Sequence, residues 1–509
     1  MLGQPREAGA RADIESALAN LPVDLRSLYD SGAVTLEQLT SLHDRLGVTT
    51  LADLLAAIDE QIVRSVPGLD ETVERAIAAV LRNLRLAVPR IPLGRAVGLA
   101  DPILTRLHSL PAVEWALPVG SLRRAQETVG DIEVLAATDD PAAAIEAIAE
   151  APNVDRVLHK SVRRLYVLSN GTQIGLRLPA PANAGSILLH LTGSTAHFDA
   201  LRGRASDRGW RLTSEGLHAS DGTLRTAASE EEIYTTLGLP LIPPEIRNGD
   251  DEIAAAARGE LPSLLTGEDI RGDFHMHSVW SDGRDSIETM ASACHDLGYE
   301  YIAITDHSPA SGVARSLSVQ TVKHQRDEIA GVRERFPGIA ILHGCEVEIL
   351  PDGRLDFADR VLEQFDIVLA SLHHRGGDDR DQLMHRYLTA MRHPLVTLIT
   401  HPTNRLVSHR AGYDLDYDRL FETAVDTGTL LEINGAPAHL DMDGALARRA
   451  VAAGVTVAVD SDCHRADLLE AQMQLGVLTA RRGWIEARHV LNTRPLADVR
   501  ALIARKRSH

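Results

Sequence analysis

The chain has 509 residues, room for about three domains at roughly 150 residues each. Its apolar fraction of 44% can build sizeable cores, with Leu, Val, Ile and Ala replacing aromatics that are scarce at 4%. A formal net charge of −19 excludes a chain-wide electrostatic grip on nucleic acid and leaves only a local basic patch for that purpose. Cys294, Cys345 and Cys463 lie far apart and form no CxxC, so no disulfide framework is indicated and a reducing compartment fits. The stretch "MLGQPREAGARADIESALANL" has no apolar centre like that of a signal peptide, and no apolar run is long enough to span a bilayer. A soluble protein of the bacterial cytoplasm, with no membrane partner, is expected.

Residues 1–92 read as a helical region. "ADIESALANL", "TLEQLTSLHDRLG", "TLADLLAAI" and "ETVERAIAAVLRNL" carry apolar residues at helical spacing. "VPGLDETV" (66–73) resembles half of a helix-hairpin-helix, a motif whose backbone amides hold a DNA phosphate. Its second glycine falls on Asp70 here, so a plain helical packing module stands beside a DNA clamp as a reading. Residues 93–247 mix helices with strands such as "DIEVLAAT" and "TQIGLRL". Residues 248–270 carry charge, Gly and Pro and read as a linker. Residues 271–509 change to strict β–α alternation. Their strands are "DFHMHS", "YIAITDH", "IAILHGCEVEI", "DIVLASLHH", "LVTLITHP", "TLLEING" and "VTVAVDSDCH". Seven such repeats predict a parallel (β/α) barrel. The fold class is multidomain α/β: a helical region, an α+β middle part and a (β/α)7 barrel.

Strand residues i and i+2 share a face, so His275 and His277 project together. Later strands end in Asp306-His307, at Glu346, in His373-His374, at His401 and in Asp462-Cys463-His464. In a (β/α) barrel these ends converge on one mouth, where barrel active sites sit. A lone histidine among 22 is usually a solvated or core residue, but scattered histidines have no reason to choose strand ends. Imidazole with carboxylate and no thiolate suits Zn, Mn or Fe; Cys463 reads as core. Clustered divalent ions suit phosphate ester hydrolysis.

"HMHSVWSDG", "AITDHS", "GCEVEIL", "LHH", "THPTNR" and "DSDCH" stand in the order and spacing of the PHP (polymerase and histidinol phosphatase) family, which residues 272–505 resemble. The resemblance implies three divalent ions held by His275, His277, Asp282, His307, Glu346, His373, His401, Asp462 and His464. It further implies that His275, His277, Glu346 and Asp462 hold one ion. Glu346 bridges to a second, held also by His373 and His401, and Asp282, His307 and His464 hold the third. A hydroxide on the metals is then the nucleophile, and no side-chain nucleophile is needed. His374 either protonates a leaving group or supports the mouth.

"VGSLRRAQETVGDIEVL" (119–135) places a Gly-Ser turn and arginine, which suit phosphate, before Asp131 and Glu133, which suit divalent metal. With "LTGSTAHFDALRGRA" and "EEEIYTTLGLPLIPPEIR", the stretch from about residue 35 to 245 resembles the palm and thumb of family X DNA polymerases, some of which carry a C-terminal PHP domain. The resemblance puts Ser121 and Arg124 at triphosphate-binding positions and Asp131 at the first of three metal-binding aspartates. Glu133 replaces the second and Gly175 the third; His190 and Leu191 replace an aromatic pair. No lysine precedes Lys160, so an amine for Schiff-base chemistry is missing upstream. A degenerate palm that still holds DNA is expected, with Mg or Mn serving any residual polymerase activity.

The combined expectation is a DNA repair protein whose PHP part is a metal-dependent 3′-5′ exonuclease or 3′-end phosphoesterase. Its partners would be DNA 3′ ends, gapped or primer-template DNA, and nucleotides. Two alternatives stay open: a small-molecule phosphatase of the histidinol phosphatase type, and a DNA-binding scaffold with structural metals.

Overall fold

The computed structural model describes residues 90–508 continuously and, before them, 28–29, 32, 34–48, 54, 57–58 and 61–86. The helix expected at "ADIESALANL" and most of the one at "TLADLLAAI" lie outside the described residues. Helix α1 (Leu36–Leu46) starts where Thr35 and Gln38 cap each other and stops at Gly47. Helix α2 spans Glu71–Leu86. The Asp70 carboxylate accepts the amides of Thr72 and Val73, both at 2.9 Å. Those are amides that a phosphate clamp would have to offer, so this turn is closed as an ordinary helix cap.

Helix α3 (Leu93–His108) packs on a five-stranded sheet. Its strands are β1 (Val113–Pro118), β2 (Ile132–Thr138), β3 (Arg156–Lys160), β4 (Arg164–Ser169) and β5 (Thr172–Arg177). Their order is β1-β2-β5-β4-β3, and only β2 and β5 run parallel. Helices α4 (Pro181–Thr192), α5 (Thr195–Asp207) and α6 (Glu230–Thr236), with a small three-stranded sheet, share a second core. Beneath it, Glu230 is ion-paired to Arg247 at 2.5 Å and to Arg123 at 2.7 Å.

The stretch expected as a linker is folded. Helix α7 (Glu252–Arg258) buries Ala256 in that second core, with Leu264 beside it. Glu252 meets buried His197 at 2.6 Å, and the other ring nitrogen of His197 meets Tyr234 Oη at 2.7 Å. Short apolar positions between the charges of 248–270 supply this packing, which composition alone hides.

Seven parallel strands follow in sequential order: β6 (Gly272–Asp273), β7 (Tyr301–Ile304), β8 (Ala340–Glu348), β9 (Ile367–Ser371), β10 (Val396–Ile399), β11 (Leu430–Asn434) and β12 (Val457–Asp460). A parallel bridge between Met276 and Cys463 brings the first strand back to the last. Several expected strands are shorter than their sequence stretches. β6 holds only two residues, and β12 ends before Asp462, whose φ is +53°. His401 is also left-handed, at φ +26°. Asp462 and His464 therefore meet through a turn and not through strand pleating. The middle region is seated on the barrel. Val407, Leu440 and Leu475 join the α3–sheet core, and Glu127 is held by Arg405 at 2.9 Å and Arg482 at 3.1 Å.

Candidate metal centre

All seven strands point the same way, so their C-terminal ends share one mouth. The turn after β6 brings His275, His277 and Asp282. The other ends bring His307, Glu346, His373, His401, Asp462 and His464. Glu346 stands at the middle of the group. Its carboxylate oxygens lie 2.9 Å from His307 Nδ1, 3.0 Å from His401 Nε2, 3.4 Å from His275 Nε2, 3.6 Å from His277 Nε2 and 3.7 Å from His373 Nε2. Asp462 lies 3.3 Å from His277 Nε2 and 3.6 Å from His275 Nε2. Asp282 lies 3.4 Å from His464 Nε2 and 3.6 Å from His307 Nε2. The structure thus brings together all nine residues expected as ligands.

Potential donor atoms gather within 4.8 Å of one another in three sets: His277, Asp282, His307 and His464; His275, His277 and Asp462; and His307, Glu346 and His373. Most of these side chains are buried, while Asp282 and His464 are 33% and 37% exposed. Nδ1 of His277 and Nδ1 of His401 are buried without a hydrogen-bond partner, whereas His307 Nδ1 and Glu346 Oε2 face each other. Orphaned buried polar atoms are costly, and a cation is what such a donor set satisfies. Cys463 stays out of it, its thiol directed to the Arg465 carbonyl at 2.9 Å.

The charges are tightly interlocked. Burial works against the ionised form throughout, but the neighbours decide the outcome. His275, His307, His373 and others hold Glu346 well below the usual carboxylate range, and His275, His277 and His464 do so for Asp462. Glu432, Asp462 and Glu346 hold His275 well above the ordinary imidazole value. His277 goes the other way, to about 3, because burial is reinforced by His464 and His307. The carboxylates and His277 are thus biased toward the forms that bind metal, whereas a cation has to displace the proton that the carboxylates favour on His275.

Two buried carboxylates escaped the sequence reading. Glu432 lies 2.6 Å from His275 Nδ1 and accepts the backbone amide of His401, also at 2.6 Å. Glu348 lies 2.7 Å from His373 Nδ1 and accepts the amides of His373 and His374. The signal was present. Glu348 follows Glu346 at i+2, and Glu432 lies on the one strand left without a polar candidate. His439 was missed as well; its ring stacks on His401 with centroids 5.1 Å apart. The Nε2 of His374 is occupied by the Ser311 carbonyl at 2.9 Å, so that nitrogen holds the mouth together.

The middle region gives a different result. Ser121 sits in a short helical turn behind Gly120, whose φ of +62° suits a residue without Cβ. Arg124 is half-buried and donates to the Thr192 carbonyl. Burial first, then Arg482, Arg247 and Arg90, lower its pKa to about 10. Arg123, one of the two arginines after the Gly-Ser turn that suit phosphate, is instead tied to Thr192 Oγ1 and Glu230, each at 2.7 Å. Asp131 is exposed at the edge of β2. Glu133 is in register with Gly175 on β5 and pairs with Arg177 at 3.2 Å. Tyr166 stands opposite Gly175 across β4–β5, and a Cβ built on Gly175 would lie 2.9 Å from its ring. An arginine, an aromatic ring and a glycine at this point do not fit a pair of divalent cations. Among the described residues no group of metal-binding side chains forms here.

Comparison with known proteins finds relatives for both parts of the chain. The DNA polymerase beta thumb family matches residues 187–248, and the PHP domain family matches residues 273–435. The DNA polymerase/3′-5′ exonuclease PolX of Bacillus subtilis (strain 168) is 37% identical over 503 residues, covering 98% of this chain and 88% of its own. A probable phosphatase of Caldanaerobacter subterraneus is 30% identical over 203 residues, covering 38% of this chain and 75% of its own. The structure of Leishmania infantum polymerase beta in a ternary gap complex aligns at 17% identity with a TM-score of 0.28, over 42% of this chain and 86% of that one. No helix among the described residues is long and apolar enough to cross a membrane.

Proposed function

The chain belongs to the bacterial PolX family of DNA polymerase/3′-5′ exonucleases, and from that premise we propose that it trims DNA at its PHP centre and holds the DNA with a palm that no longer extends primers. The observation that carries the reading is the convergence of six imidazoles and three carboxylates in one barrel mouth, set against a palm whose third carboxylate is Gly175. In this reading the ligands are the nine residues of the mouth, holding three ions of Zn, Mn or Fe. Bound divalent ions supply Lewis acidity and positive charge for hydrolysis of a phosphodiester. The chain's own part is to keep Glu346, Asp462 and Asp282 ionised and to fix the rings of His275, His277, His307 and His401 by burial. Ser121 and Arg124 would hold phosphate without a catalytic ion pair beside them. The substrates are DNA 3′ ends in gapped or primer-template form, in the bacterial cytoplasm, with nucleotides as products.

An end-labelled primer-template incubated with Mn²⁺, with and without the four dNTPs, tests this. Shortening in both lanes, abolished by His275→Ala, is expected. Lengthening with dNTPs would refute the retired palm. An unchanged primer would refute the exonuclease. It would favour the phosphatase reading, which the match to a probable phosphatase supports and which leaves the first 270 residues without a task.

A further inference from the structure

The nine mouth residues are not held alike. Glu432 is fully buried and touches two of them: its Oε1 faces His275 Nδ1, and its Oε2 takes the His401 amide. Asn434 locks it from the same strand, donating to Glu432 Oε2 and to Asp462 Oδ2, both at 3.1 Å. Glu348, 3% exposed, does the same for His373, taking its ring Nδ1 at 2.7 Å and its amide at 3.1 Å. A carboxylate on Nδ1–H fixes the tautomer, leaves Nε2 free for the ion and makes it more basic.

Asp282, His307 and His464 have no such backing. His464 Nδ1 meets the Asp462 carbonyl at 3.0 Å and the Asp462 carboxylate, itself in the ligand set, at 3.8 Å. His307 Nδ1 faces Glu346, which is itself in the ligand set. Asp282 and His464 are also the two most exposed members of the nine. Charge points the same way. The three ligand carboxylates offset half the charge of three dications. Glu432 and Glu348 bring the offset within one charge, and each bonds residues of the other two sites.

Resting on the three-ion reading above, we propose that Glu432 and Glu348 are positioning residues that make two of the ion sites tight. The site of Asp282, His307 and His464 is the exchangeable one. Glu432 serves both tight sites, through His275 and through His401. Glu348 serves only the one that contains His373.

The test is metal content of the full chain. Protein loaded with Mn²⁺ is passed over a metal-free desalting column and analysed by mass spectrometry, and Mn²⁺ affinity is followed by electron paramagnetic resonance. Wild type is expected to retain about two ions per chain, and Asp282→Asn the same number. Glu432→Ala retains about one or fewer, with affinity lowered on the order of 10- to 100-fold. Glu432→Gln is nearly isosteric and its amide oxygen still accepts from Nδ1–H, so it falls between the two and separates lost positioning from lost folding. Glu348→Gln weakens only one of the retained ions. Retention of three ions by wild type overturns the proposal, as does wild-type content in Glu432→Ala, or loss of a tight ion in Asp282→Asn. Wild type that binds no Mn²⁺ even in excess refutes the three-ion reading itself.

Discussion

Gly175→Asp puts back the carboxylate that a two-ion palm needs, and the structure says that this alone does not work. A Cβ at residue 175 lies 2.9 Å from Tyr166 Cε1 and 3.1 Å from Glu133 Cγ, well inside the ordinary carbon contact of about 3.5–4.0 Å. Tyr166 is 3% exposed, so its ring has no solvent to swing into. Overpacking of this kind costs about 1–3 kcal/mol. The new carboxylate also stands in register with Glu133. Two such charges about 4–5 Å apart repel by about 3–4 kcal/mol at an effective dielectric near 20, and Arg177, at 3.2 Å from Glu133, offsets only one of them. The expected result is a palm destabilised on the order of 2–5 kcal/mol and no primer extension. Combining Gly175→Asp with Tyr166→Ala and Glu133→Asp removes the clash and restores three short carboxylates. That variant is expected to recover its melting temperature in Mg²⁺ and is the one from which extension would come. The assay is dNTP incorporation on gapped DNA in a His275→Ala background, beside a thermal melt. Extension by Gly175→Asp alone, at wild-type melting temperature, would sink the reasoning.

Acid sensitivity should trace in part to Glu230. Burial pushes its pKa up, but Arg247 and then Arg123 outweigh this and hold it at about 2, against an ordinary 4.5. A depressed carboxylate stabilises above its unfolded value, here by about 3 kcal/mol, and loses that as pH falls from about 5 toward 2. Urea unfolding of wild type and Glu230→Gln should show a gap at pH 7 that narrows across this window; a gap independent of pH would count against the pairing. At the seam, Val407→Ser removes an apolar side chain, 7% exposed, from the α3–sheet core. A loss of about 1–3 kcal/mol should appear as faster proteolysis between the palm and the barrel, with Arg405→Ala giving a smaller effect of the same sign. Glu346→Gln should abolish trimming and lower metal content more than any other single ligand change, because that side chain meets five of the imidazoles.

The barrel and the polar cluster in its mouth were legible because two periodicities carry them. Apolar runs spaced by amphipathic helices define parallel strands, and parallel strands must end at one mouth. The imidazoles and carboxylates at those ends therefore had to meet, whatever the exact turns, while the choice of nine, Asp282 among them, came from the resemblance to the PHP family. The palm's defect was equally legible, since a glycine supplies no ligand in any fold. Other features depended on what lies across space. Glu432 and Glu348 read in sequence as ordinary strand carboxylates. Only the partner strands' imidazoles, 2.6 and 2.7 Å away, give them a role. Arg123 looked like a phosphate contact until Glu230, far along the chain, claimed it. Residues 248–270 looked like a linker because their few apolar side chains find their core only when the thumb and the chain's C-terminal part fold around them. Identity and spacing along the chain determined the chemistry of the mouth. Which carboxylates back the mouth's imidazoles, and what fills the empty carboxylate position of the palm, was decided by packing, because burial and partner distance are properties of residues that the chain itself keeps apart.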